Sequence, residues 1–176
     1  MMEGLYGSRA PGERAWTGEP PDPLARPAWF DGVVLRRSIA YLIDGAILFV
    51  IGAALFIALS IFGLLTLGLG FHLFPLLSLV PIAYSTLLIG GPDSATWGMR
   101  MMDVQVRSWS GERPNMIQAL VMTLLFYGTV MITWFFGFLV VFFNARRRTV
   151  HDFLAGVIVV RRSAVPAAAA GGPPAV

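Results

Sequence analysis

Between Asp44 and Asp93 the chain carries no lysine, arginine, aspartate or glutamate, and Asp44 stands at the head of that run within the octapeptide Arg37-Ser-Ile-Ala-Tyr-Leu-Ile-Asp44. Uncharged apolar stretches of such length belong in a membrane, where only lipid matches their surface and a helix satisfies its own backbone. An acid inside a span costs on the order of 3 kcal/mol on insertion scales, so Asp44 needs a partner or a task. Arg37 precedes it by two helical turns, about 10 Å of rise, on nearly the same face. Read on its own, this spacing makes Arg37 and Asp44 one unit, with Tyr41 on the same face and able to hydrogen-bond either.

The composition agrees with a membrane location. Hydrophobic residues make up 56% and charged residues 13% of the chain, against about 25% charged in soluble domains. The net charge of +3 rests on arginine alone, since there is no lysine, a usage that points to a GC-rich bacterial genome. Without cysteine there is no disulfide, thiolate metal site or thiol nucleophile.

The expected fold is an all-α integral membrane bundle of three transmembrane helices, at about residues 39–62, 71–89 and 116–143. The second contains Pro75 and Pro81 and is expected to kink. The polar loop between Gly90 and Asn115 contains a short extended segment near Met99 to Val106. Residues 1–28, with five prolines between Pro11 and Pro27, and residues 163–176 read as disordered tails around a membrane domain over 29–162. The first span doubles as the insertion signal of a multi-pass protein of the bacterial inner membrane.

The positive-inside rule puts Arg26, Arg36, Arg37 and the Arg100 to Arg113 loop in the cytoplasm, with the N-terminus. Three alternating spans would then place Arg146, Arg147, Arg148, Arg161 and Arg162 outside. Splitting the third run into a hairpin near Gly128, giving four helices, restores the rule.

Two further motifs stand out. One is Thr96-Trp-Gly98 in the loop, where threonine and glycine suit a turn leaving the second helix. The other is His151-Asp152, where Asp152 can pair with Arg146, Arg147 or Arg148 or cap a helix, and His151 can relay a proton or simply hydrogen-bond. Too few histidines and acids accompany them for a metal-dependent hydrolase.

Taken together in this order, the motifs resemble the RDD family of bacterial membrane proteins, named for one arginine and two aspartates. Arg37, Ala40 and Asp44 fit the first-helix pattern. Thr96, Gly98 and Val104 to Val106 resemble the family's Thr-Pro-Gly-Lys loop and following strand, with Trp97 in place of proline and Met99 in place of lysine. His151, Asp152, Ala155 and Gly156 match the closing segment, with Val157 where threonine is usual. The resemblance covers about residues 28 to 162 and implies that Arg37 and Asp44 hold the signature roles and that Asp152 is the second aspartate.

What the resemblance implies about function is transport, as a small transporter or cation/proton exchanger. In that reading Asp44 and Asp152 converge and hold a proton or cation, helped by Arg37, His151 and Tyr41. The rival is a non-transporting accessory or scaffold protein in which Arg37, Asp44 and Asp152 form a structural ion-pair network. No catalytic residue, cofactor or resident metal is expected, and the chain does not read as an enzyme. The expected partners are the lipid bilayer, further copies of the chain and a monovalent cation or proton, with no nucleic acid.

Overall fold

The computed structural model describes residues 15–16, 19–133 and 150–165. Helix α1, Val33–Leu65, is unbroken over 33 residues, about 50 Å of rise. Its buried positions are Val33, Arg37, Ala40 and Asp44, and then only Gly63. Steps of four, three and four residues keep the first set on one seam, so the first third of the helix packs against protein. Beyond Asp44 the helix turns large apolar side chains outward; Phe49 is 76% exposed, a surface that lipid rather than water must cover. The stretch from Gly45 to Leu65 rises about 31 Å, by itself enough for a hydrocarbon core of about 30 Å. Asp44 therefore sits at one edge of the span rather than at its middle, and the helix is longer than the expected 39–62.

The chain reverses through Leu67 and Gly68, both at positive φ (53° and 101°). The Gly68 N–H donates to the Gly63 carbonyl at 2.8 Å, closing the helix end. The second apolar segment begins as a 3-10 helix, Leu69–Ser78, with Pro75 inside it. It continues as α2, Leu79–Ile89. Pro81, in the first turn of α2, removes no intrahelical bond. The expected kink takes the form of a change of helix type.

Next come the short helix α3 (Trp97–Met101), strand β1 (Val104–Ser108), helix α4 (Met116–Thr133), short helix α5 (Val150–Leu154) and strand β2 (Val157–Arg161). The strands pair antiparallel, from Val104 opposite Arg161 to Ser108 opposite Val157. The fold is mostly helical, and the all-α expectation is corrected by this two-stranded ribbon. Its β-branched valines suit a pleated surface buried on both sides. The extended segment expected near Met99 to Val106 begins only at Val104 and runs to Ser108, because Trp97–Met101 is helical.

One face of the ribbon, with Val104, Val106, Val157 and Val159, joins a core with Val33, Ala40, Met99 and Met122. Ile158 and Val160 face the other way, into a second cluster with Trp16, Trp29 and Phe30. Trp16 stacks edge-on against Trp29 at 5.7 Å and donates its indole N–H to the Trp109 carbonyl. Residues on both flanks of the membrane domain thus take part in packing, and at the other end Ser163 bonds Asp103 through its N–H and hydroxyl.

Because β2 returns to β1, Arg161 and Arg162 lie at the same end of the molecule as Arg36 and Arg107. Three strictly alternating spans would send them to opposite ends. The turn expected near Gly128 is not there: α4 runs through Gly128 and Thr129 to Thr133, since a glycine within an apolar run does not by itself end a helix; residues 134–149, with Arg146 to Arg148, lie outside the described residues.

Candidate functional site

The seam of α1 presents its two charged residues to different partners. The Arg37 guanidinium donates to both oxygens of Asp152, Nη1 to Oδ2 at 2.5 Å and Nη2 to Oδ1 at 2.8 Å. Arg37 is 4% exposed and Asp152 is fully buried. The two-bond fork is the strong form of this pairing, and in such surroundings each charge offsets the other. Arg37 Nε also donates to the Tyr41 hydroxyl at 2.6 Å, and the guanidinium lies 5.6 Å from the Tyr41 ring centre. The pair fastens α1 to α5, and through α5 to the ribbon.

Asp44 points elsewhere. Oδ1 accepts from the Tyr84 hydroxyl at 2.7 Å and from the Gly98 N–H at 2.8 Å, and Oδ2 accepts from the Thr96 hydroxyl at 2.5 Å. The expected Arg37–Asp44 unit is thereby corrected: two turns on one face bring them near, but each finds a partner from a distant segment at its own level. Asp152, for its part, meets Arg37, the partner that sequence proximity did not offer. The backbone of His151 lies in α5, and its side chain is outside what is described.

Thr96 caps α3 with extended backbone, φ −66° and ψ 170°, and accepts from the Met99 N–H while donating to Asp44. Gly98 is there for space: a Cβ on it would collide with the Ala40 carbonyl and stand 2.9 Å from the Asp44 carboxyl carbon. The loop that looked like a plain turn is therefore the third wall of the Asp44 site.

Asp44 also lines a half-open cavity of about 330 Å³ between α1, α2, α3 and α4. Tyr41, Asp44, Ser85, Thr96, Thr123 and Tyr127 are its polar residues; Gly45, Leu48, Pro81, Ile89, Met99, Met122 and Phe126 line the rest. Thr123 is 2% exposed, and its hydroxyl has no hydrogen-bond partner among the described residues. No cluster of three or more metal-ligating side chains occurs among the described residues.

The RDD family matches residues 32–156, from the start of α1 to the turn before β2. The chain belongs to the RDD family. Neither a curated protein nor a solved structure matches it. Family and apolar helices together make it an RDD family membrane protein.

Within this RDD protein the arginine and the two aspartates do not form one cluster. Arg37 and Asp152 are a closed pair, and Asp44 is a separate carboxylate held by three neutral donors. Sequence reasoning did not single out Tyr84 as a partner of Asp44. Thr96 and Gly98 were visible as a motif, but their partner lies 52 and 54 residues away.

Proposed function

We propose that this RDD protein is a small cation-handling membrane protein, with Asp44 as its cation site and the Arg37–Asp152 pair as its structural brace. One observation carries the reading: Asp44 opens onto a cavity, and every group that bonds its carboxylate is neutral. Its negative charge is left to be balanced by whatever occupies the cavity, whereas the charge on Asp152 is balanced by Arg37. The two readings of the sequence, transport site and structural network, thus fall on different residues.

The site lies at the end of the spans where the arginines gather. By the positive-inside rule that end faces the cytoplasm of a bacterial cell and the protein crosses the inner membrane more than once, with its N-terminus inside. A cation reaching Asp44 from that side is held at the membrane edge, where exchange against a proton gradient begins.

The test is flux in liposomes containing the purified protein, read as internal pH after a Na⁺ or K⁺ gradient is imposed. Wild type is expected to couple the cation gradient to a pH change, and Asp44→Asn to abolish it. Coupling that persists in a folded Asp44→Asn protein overturns the assignment of Asp44.

A further inference from the structure

Resting on the reading of Asp44 as a cation site, the cavity identifies the class of cation. We propose that it takes an organic ammonium ion carried on an apolar body, in preference to a bare metal ion.

The acceptor count comes first. A carboxylate offers about four lone-pair sites. Tyr84 and Gly98 take two on Oδ1 and Thr96 takes one on Oδ2, which leaves one, on Oδ2. A hard cation such as Mg²⁺ or Ca²⁺ calls for about six or more oxygens; the Tyr41 and Thr96 hydroxyls on this cavity are already bonded to Arg37 and Asp44, and the walls of Leu48, Pro81, Met99, Met122 and Phe126 add no side-chain oxygen. An ammonium group asks for less. Asp44 Oδ2 keeps one acceptor site for its N–H groups. The Tyr41 and Phe126 rings, stacked at 5.2 Å on the same wall, give a cation an aromatic neighbour.

The remaining walls fit the apolar body. The cavity of about 330 Å³ is at the small end of ligand pockets and holds roughly eleven groups of about 30 Å³ each. That is the size of a phenylalkylamine.

The experiment is equilibrium binding of 4-phenylbutylamine to the full chain in lipid nanodiscs, with empty discs of the same lipid subtracted. Its neutral counterpart 4-phenylbutan-1-ol and NaCl are titrated in parallel. The amine is expected to bind at least about tenfold more tightly than the alcohol, a difference typical of a desolvated charge contact. Asp44→Asn should erase that preference. Leu48→Trp, which fills the cavity without touching the polar groups, should remove binding in a protein that still folds. If the alcohol binds as well as the amine, or the amine binds Asp44→Asn and Leu48→Trp as it binds wild type, the inference is overturned. Should Na⁺ bind wild type in an Asp44-dependent way while the amine does not, the organic cation is refuted and the cation site stands. If neither cation binds wild type, both fail together.

Discussion

The Arg37 guanidinium and the Asp152 carboxylate, 115 residues apart in the chain, close a two-bond ion pair at 2.5 and 2.8 Å inside the protein. The pair sets where α5 sits on α1, and with it where β2 meets β1. Removing one partner leaves the other charge buried, which typically costs about 3–5 kcal/mol. Asp152→Leu and Arg37→Leu are therefore each expected to lower the melting temperature in detergent markedly. The double variant Arg37→Leu/Asp152→Leu should lose less than the two single losses combined, which a double-mutant cycle of melting curves reads directly.

Gly98→Ala tests the close approach of α3 to α1. The added methyl would collide with the Ala40 carbonyl beside Asp44, and overpacking of this kind costs about 1–3 kcal/mol. The expected result is a lower melting temperature together with weakened binding at Asp44, because Gly98 N–H and Thr96 move away with α3. A protein of unchanged stability and binding would mean that α3 is not held against α1 as described.

Met99 lines the same cavity as Asp44. Met99→Lys places a tethered ammonium where the ligand's own would go. We expect melting at or above the wild-type temperature and loss of 4-phenylbutylamine binding. Binding that survives the substitution would show that the ammonium does not use this space.

At the ribbon end, Asp103 sits at φ 58° and accepts from the Ser163 N–H and hydroxyl and from Arg161. Burial alone would raise its pKa, but these bonds outweigh it and hold the carboxyl below its ordinary value of 3.8. A depressed folded-state value means that its stabilisation is complete above about pH 4 and is lost as pH falls below it. Asp103→Asn, which tolerates the left-handed backbone, should melt lower than wild type at pH 7. The gap should close as both are titrated to pH 3; a gap that stays constant with pH would contradict this.

How much of this was legible in the sequence depended on range. The membrane location and α1 follow from composition along one segment, and Arg37, Asp44 and Asp152 stand out because charge next to lipid is costly. The pairing among them did not follow. Helical spacing related Arg37 to Asp44 correctly as neighbours on a face, but a partner is chosen by three-dimensional proximity, and α5 and α3 arrive from far along the chain. An extended segment ending at Val106 was legible, but the ribbon was missed for the same reason: the partner of Val104–Ser108 is Val157–Arg161, far along the chain. Thr96 and Gly98 look like turn residues, and only the carboxylate opposite them gives them a purpose. Trp16, among the N-terminal prolines, stacks on Trp29, a pairing that the proline content gave no sign of.

The central claim is that Asp44 holds a cation while the neighbouring ion pair holds the fold. Asp44→Asn separates the two, because an asparagine can keep the Tyr84 and Gly98 donors on its oxygen and donate to the Thr96 hydroxyl. The most direct measurement is the melting temperature of wild type and Asp44→Asn with and without saturating Na⁺ or 4-phenylbutylamine, since a ligand that binds the folded state raises its stability. The account predicts nearly equal melting temperatures without ligand, a rise for wild type with one of these cations, and no rise for Asp44→Asn; an equal rise in both proteins would contradict it.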